Sequence, residues 1–419
     1  MTDTTFQSDF LTTLQARGYI HQITHPAELD AAAKAGVVAG YIGFDATAPS
    51  LHVGSLIQIM MLRRLQQAGG RPVVIMGGGT TKVGDPTGKD ASRPQLTDET
   101  IQSNIASIKT VFEKFLTFGD GPTDAIMIDN DQWLSKYGYV EFLRDYGTHF
   151  TVNRMLAFDS VKLRLEREQP MTFLEFNYML MQSVDFLELN RRHNVTLQMG
   201  GSDQWGNIVS GADLVRRVDQ KASFGLTTPL LTTASGGKMG KTAQGAVWLN
   251  AEQLSPYDYW QFWRNAEDAD VGRFMRLFTD LSLDEIAGFE ALEGAAINDA
   301  KKALADAATT MLHGAEAAVS ARARAEGAFE RGEKATLEVF DFDWSGEEGF
   351  TQRSPEALVK AAEISSIKDA KRSIANREIK INGMTVDGSE MFAKDQVDPE
   401  HGAFLVQKGK KVSRLVRPV

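Results

Sequence analysis

VAGYIGFDATAPSLHVGSLIQIMMLRRLQQAGGRPVVIM, residues 38–76, decides the fold. Val38 to Phe44 has the apolar character of a buried strand, and Leu51 to Ala68 reads as an apolar helix stopped by Gly69 and Gly70. Val73 to Met76 reads as a second buried strand. Strand, helix and strand in that order make a βαβ unit, because two parallel strands need a crossover between them. Outward from this unit the alternation continues. Thr97 before Asp98 and Glu99 is an N-cap with first-turn acids, opening a helix to about Leu116, and further strands are expected at Ala125 to Ile128 and Val195 to Met199. The pattern predicts an α/β domain with a Rossmann-like, doubly wound parallel sheet, in which ligands bind beyond the carboxyl ends of the strands.

After Asn250 the pattern changes. Pro256 stands at a first helical position, and a long Ala-rich helix is expected from about Ile297 to Ala328. GEEGF at 346–350, following the acidic and aromatic VFDFDW, reads as a linker to a basic tail. The division expected is 1–245 for the sheet domain, 246–330 for a helical domain, 331–352 for the linker and 353–419 for a small basic domain.

The net charge of −10 argues against indiscriminate nucleic-acid binding, but it conceals an asymmetry. Residues 351–419 carry 13 basic and 9 acidic side chains, against 32 and 46 in the rest. Lys408, Lys410, Lys411, Arg414 and Arg417 stand in 401–419 with no acid among them. A basic module on an acidic body points to a partner with phosphates. The absence of cysteine excludes a disulfide scaffold, a thiolate nucleophile and a cysteine-ligated metal. The N-terminus has neither signal-peptide nor transit-peptide character and no apolar run is long enough to span a bilayer, so a cytoplasmic location without membrane partners is expected.

Five segments carry chemistry. GFDATAPSLHVGS, 43–55, puts Asp45, Thr47 and His52 in the turn between the first strand and its helix, whose N-terminus offers unpaired N–H groups to phosphate. MGGGTTKVGDPTGKDASRP, 76–94, follows the next strand and holds Asp85, Lys89 and Arg93. It is not a P-loop, since Val83 occupies the place of the first glycine, and Lys82 breaks a G-x-G-x-x-G fingerprint. Tyr178, Gln182 and Asp185 share one face of a nearly all-apolar helix, where a buried amide and carboxylate need partners. LQMGGSDQWGN, 197–207, brings Gly201, Asp203 and Gln204 to the end of a strand, where an acid can hold ribose hydroxyls. GGKMGKT, 236–242, offers Lys238 and Lys241 on a glycine-flanked loop, able to follow charge developing on a leaving phosphate.

In this order the segments resemble class I aminoacyl-tRNA synthetases, and specifically the bacterial-type tyrosyl-tRNA synthetases. HVGS looks like a variant of that family's HIGH signature, and KMGKT like its KMSKS loop. The resemblance is strong over about 30–250; the helical region is similar to the family's anticodon-binding domain, and the tail to a small α+β RNA-binding module. It implies tyrosine, ATP with Mg²⁺ and tRNA(Tyr) as substrates, no tightly held protein-ligated metal, and a homodimer. It implies that Tyr41 and Asp185 contact the substrate phenol, that Asp85, Tyr178 and Gln182 hold its ammonium, and that Gln204 lies near its carboxylate. Asp45, Gly54, Ser55, Gly201, Asp203 and Lys241 would bind ATP; Thr47 and His52 would stabilise the γ-phosphate side of the transition state. Lys89, Arg93, Lys238, Lys241 and Thr242 would gather pyrophosphate. Two residues depart from the pattern: Ser55 replaces the second His of HIGH, and Thr81 stands where many relatives have glycine. The rivals are a tryptophanyl enzyme, another nucleotidyltransferase with an HxGH-type motif, and a noncatalytic RNA-binding protein. The pair of Tyr41 and Asp185 favours a phenol over an indole.

Overall fold

The computed structural model describes residues 5–85, 96–237, 239–242, 245–329, 339–344, 352–364, 366–398, 402–409 and 412–419. The chain forms two compact units: Met1–Gly240 with Trp248–Gln253 and Gly272–Gly288, and Lys241–Val247 with Leu254–Val271 and Phe289–Val419.

The first unit is built on a sheet of β1 (Gln22–Ile23), β2 (Ala39–Phe44), β3 (Arg71–Met76), β4 (Ile126–Asp129), β5 (Leu197–Gly201) and β6 (Phe224–Thr228), in the spatial order β1-β6-β5-β2-β3-β4. β2 to β6 are parallel, and β1 lies antiparallel along β6. From β2 the chain winds outward through β3 to β4, then returns to the other side of β2 as β5. The order therefore switches between β2 and β5, and the crevice outside their carboxyl ends is where such sheets bind ligands.

Helix α1 (Val53–Gln67) crosses from β2 to β3, and α2 (Asp98–Phe112) precedes β4. Helices α3 (Tyr178–His193) and α4 (Trp205–Asp219) flank β5. The period of two along β2 sorts its side chains between two layers. Phe44 packs edge-on against Phe112 of α2, whereas Ala39 and Tyr41 join Val73, Ile75, Val184, Phe186 and Leu214 in the core on the opposite face. α2 starts where its cap predicts, with Thr97 accepting from the Thr100 N–H at 3.2 Å. The chain after α1 closes through Gly69, at φ +82°, a left-handed conformation that favours glycine.

In the second unit the Ala-rich segment is not one helix. It breaks at Gly314 (φ +88°) into Ile297–His313 and Ala315–Phe329. The stretch read as a linker is also different where it is described. Val339–Phe342 is a strand, parallel to Leu415–Pro418 in the small C-terminal sheet, and Trp344 stacks on Phe404 in that module's core. Its aromatic alternation is thus a half-buried strand pattern. On the last strand Arg414 is buried, donates to Asp258 and lies 5.3 Å over the Tyr257 ring. Arg417 pairs with Asp341 at 2.6 Å. No helix among the described residues is long and apolar enough to cross a membrane.

Candidate active site

The site is assembled at the carboxyl ends of β2, β3, β4 and β5. Tyr41, on β2, has Val73 of β3 and Gln198 of β5 as register neighbours. It is 1% exposed, its ring meets Phe186 edge-on at 5.3 Å, and its hydroxyl has no hydrogen-bond partner among the described residues. Burial, and then the negative charge of Asp185, push that hydroxyl well above the ordinary phenol range. It is therefore a neutral, buried hydroxyl left unpaired by the described residues, a costly arrangement unless a ligand completes it.

Asp185, next to Phe186 on α3, is likewise buried, at 3% exposure. The Asn130 side-chain amide donates to it at 2.9 Å and the Trp133 indole N–H at 2.7 Å. Burial raises its pKa to about 7, against these two donors, with Asp45 and Asp129 pushing the same way as burial. Asn130 extends the network, accepting from the Gly79 N–H at 2.8 Å and donating to the Thr80 hydroxyl at 3.1 Å. Thr80 and Tyr178 both donate to Asp45 Oδ1, at 3.1 and 3.2 Å. The phenol-side carboxylate and the first crossover turn are thus joined through side chains alone.

The Tyr178 hydroxyl is buried and raised well above its usual range, first by burial and then by the fields of Asp45, Asp85 and Asp185. A spot that three carboxylates make this negative suits a cation. Beside it, Gln204 donates to Asp85 at 2.9 Å, Gln182 to Gln204 at 3.3 Å, and Asn207 to Gln182 at 2.9 Å. The structure therefore gathers Asp85, Tyr178, Gln182, Asp185, Gln204 and Tyr41 into one polar interior.

The phosphate-side residues occupy the first crossover. His52 caps α1: its Nδ1 accepts from the Gly54 N–H at 3.0 Å, which leaves the ring proton on Nε2. Ser55 donates its own N–H to the His52 carbonyl at 2.8 Å, and Thr47 is exposed in the turn before it. Gly240, at φ +98°, presses against this turn so closely that a Cβ there would lie 2.8 Å from the Gly54 nitrogen and 3.1 Å from His52 Nδ1. Trp248 bridges to His52, and the Leu249 N–H donates to the Leu51 carbonyl at 2.9 Å. The chain that re-enters this unit after the lysine loop is thereby stitched to HVGS. At the end of β5, a Cβ on Gly201 would meet Asp203 Oδ1 at 2.5 Å, so only glycine leaves that carboxylate its position. Asp203 itself is exposed.

Lys89, Arg93 and Lys238 lie outside the described residues. Lys241–Thr242 pairs antiparallel with Gly245–Ala246 in the second unit. Thr81, one of the two departures, points its hydroxyl at backbone, accepting from the Ala46 N–H at 2.9 Å. Among the described residues no group of His, Asp and Glu stands ready to hold a metal ion.

Sequence reasoning missed Thr80, Asn130, Trp133, Gln198 and Asn207. Asn130 follows the carboxyl end of a parallel strand, and Asn207 stands one turn beyond Gln204, signals that were present in the pattern. Gln198, beside Tyr41 in register, keeps its side-chain oxygen buried and without a partner among the described residues.

A family model described as tRNA synthetases class I (W and Y) matches residues 34–330. The chain is 67% identical to a tyrosine–tRNA ligase of Caulobacter sp. (strain K31), and 56% identical to one of Rhodospirillum rubrum, covering 99% and 98% of each chain respectively. Among solved structures, a C-terminally truncated mitochondrial tyrosyl-tRNA synthetase of Aspergillus nidulans matches 77% of this chain and 95% of its own, with a TM-score of 0.69 and 30% identity. The Archaeoglobus fulgidus tyrosyl-tRNA synthetase, at 17% identity and a TM-score of 0.55 over 74% of this chain and all of its own, shares the fold. On the family model and these relatives, the chain belongs to the class I tRNA synthetases of the tryptophan and tyrosine family, among its tyrosine–tRNA ligases.

Proposed function

We propose that this chain activates L-tyrosine with ATP, releasing pyrophosphate, and passes the tyrosyl group from the adenylate to the 3′ end of tRNA(Tyr). The observation that carries the choice of tyrosine is the buried, unpartnered hydroxyl of Tyr41 in the field of Asp185. A phenol donating to Asp185 and meeting Tyr41 would complete both groups. Phenylalanine would strand them, which is how a hydrogen-bonding site rejects the analogue lacking the hydroxyl.

The chemistry asks little of general acids or bases. The tyrosine carboxylate is already ionised; one of its oxygens attacks the α-phosphorus of ATP, the mixed anhydride forms, and the bond to pyrophosphate breaks. What the site must supply is alignment and neutralisation of spreading phosphate charge. Asp85, Tyr178 and Gln182 would hold the ammonium, with Gln204 near the carboxylate. Gly201 and Asp203 would take the ribose, with Asp45, Gly54 and Ser55 alongside the nucleotide. Thr47 and His52 Nε2–H would donate to the phosphate chain, while Lys89, Arg93, Lys238, Lys241 and Thr242 would receive pyrophosphate. Magnesium would come with the nucleotide and supply charge neutralisation there, with no protein-ligated site needed. In the second half-reaction a ribose hydroxyl of the tRNA attacks the tyrosyl carbonyl and AMP leaves.

We also propose that the protein works as a cytoplasmic homodimer with the basic tail on the RNA. The dimer is supported by apolar side chains left in water over 139–174, among them Val140 at 75%, Tyr139 at 65% and Phe173 at 65% exposure. Sedimentation at micromolar concentration tests it: a single species of one chain's mass would refute the dimer.

The direct test of the activity is ATP–pyrophosphate exchange with tyrosine, phenylalanine and tryptophan in parallel. Exchange with tyrosine alone is expected. Exchange with tryptophan would keep the fold and overturn the pocket.

A further inference from the structure

We infer that Thr81 and Asn104 form a clamp on the backbone at Ala46 that positions Thr47 for the phosphate-transfer step. The inference rests on the reaction proposed above and adds to it two residues that touch no substrate.

Ala46 is fully buried, and both peptide planes beside it are held. Its N–H, in the plane shared with Asp45, donates to the Thr81 hydroxyl at 2.9 Å. Its carbonyl, in the plane shared with Thr47, accepts from the Asn104 side chain at 2.8 Å. The two holders come from separate elements, each fixed independently. Thr81 is 4% exposed and donates its own N–H to the Gly77 carbonyl at 2.8 Å, which ties it to the end of β3. Asn104 is 6% exposed on α2. The neighbouring Thr80 hydroxyl grips the Asp45 side chain at 3.1 Å, so the turn is held just before the clamp as well.

Thr47, by contrast, is exposed, and no burial fixes its side chain. Its place must come from the backbone that precedes it. The dihedrals of Ala46 cannot rotate without breaking one of the two buried hydrogen bonds and leaving a peptide group unpaired, which native structures avoid. Thr47 therefore leaves the clamp in one direction, while His52 is set separately by the start of α1 and by Trp248. Thr81 and Asn104 are positioning residues for transition-state charge, not for tyrosine binding.

Thr81→Val keeps the side chain's shape and removes only the hydrogen bond. Its expected effect in tyrosine-dependent pyrophosphate exchange is a fall in kcat of about fivefold with little change in the KM for tyrosine. Thr81→Ser should restore kcat, and in a Thr47→Ala background Thr81→Val should cost nothing further. A Thr81→Val variant with unchanged kcat, or with the same loss on top of Thr47→Ala, would overturn the inference. The clamp is also checked without turnover, by amide hydrogen exchange of the segment containing Ala46. Faster exchange in Thr81→Val is expected, and unchanged exchange overturns the clamp even if the chain proved inactive. Loss of all exchange with every amino acid in the unaltered protein would instead refute the reaction.

Discussion

Asp185 gives the sharpest handle on the proposed tyrosine pocket. Burial raises its carboxyl to about 7, so near neutrality the group passes from acid to carboxylate. The carboxylate is acceptor-only and can accept from Asn130, Trp133 and a substrate phenol at once, whereas the acid carries a proton that competes with those donors. At pH 8 most of the free protein carries that form; at pH 6 about a tenth does. The kcat/KM for tyrosine, which reports the free enzyme, should therefore fall about tenfold between those values. The substrate phenol, with a pKa of about 10, does not titrate there. Asp185→Asn removes the titration, and its amide hydrogens oppose either Asn130 or Trp133. With a charge-assisted hydrogen bond worth about 1.5–3 kcal/mol, the loss at pH 8 should be about 10- to 150-fold, on a flat profile. Pyrophosphate exchange from pH 5.5 to 8.5 on both proteins is the assay. A flat wild-type profile, or the same inflection in Asp185→Asn, would refute the reasoning.

Three further outcomes are expected. Gly240→Ala combines a left-handed backbone with a Cβ pressed on the Gly54 nitrogen; kcat for exchange should fall about tenfold with the tyrosine KM unmoved, and an unchanged kcat would show that the contact is incidental. A chain ending at Phe329 should keep adenylate formation and lose tRNA charging, whereas equal loss of both would make the C-terminal module structural; a cut at Ser354 would be a poor test, because it strands the Val339–Phe342 strand and Trp344. Asp280 is held down to about 2: burial pushes it up, but Arg63 and Arg64 outweigh that. A depressed carboxyl stabilises above its unfolded pKa near 4 and loses that contribution as pH falls towards 2, so Asp280→Asn should cost about 1 kcal/mol at pH 7, after screening, and less at pH 3. A difference in melting temperature that does not narrow between pH 5 and 3 would count against the ion pair.

What could be read from the sequence follows the range of the interactions. β2, α1 and β3 were legible because each is fixed by local apolar pattern and by punctuation at Gly69. β6 was missed, since FGLTT resembles a turn until it lies against β5, and β1 has only two residues, whose existence depends wholly on that neighbour. The helix break at Gly314 was hidden by flanking alanines, which favour helix on either side of a glycine that closes it. In the site, the residues proposed to touch substrate sit in motifs, and it was the resemblance of those motifs to a known family that pointed to them. Asn130, Trp133, Thr80 and Asn104 act on other side chains or on backbone across the fold, and no local pattern marks a partner that distant.

Arg414 and Arg417 alter what the basic tail can offer an RNA. A cation that already faces a carboxylate, as buried Arg414 faces Asp258 and exposed Arg417 faces Asp341, must give up that partner before it can displace counterions from a phosphate backbone. Counting Lys and Arg in 401–419 therefore overstates the salt sensitivity of tRNA binding. Each engaged arginine should make the slope of log affinity against log salt shallower by about 0.7–0.9. If the tail lies on the RNA as proposed, it would bind with fewer electrostatic contacts than its composition suggests, and its hold on tRNA would weaken less steeply as ionic strength rises.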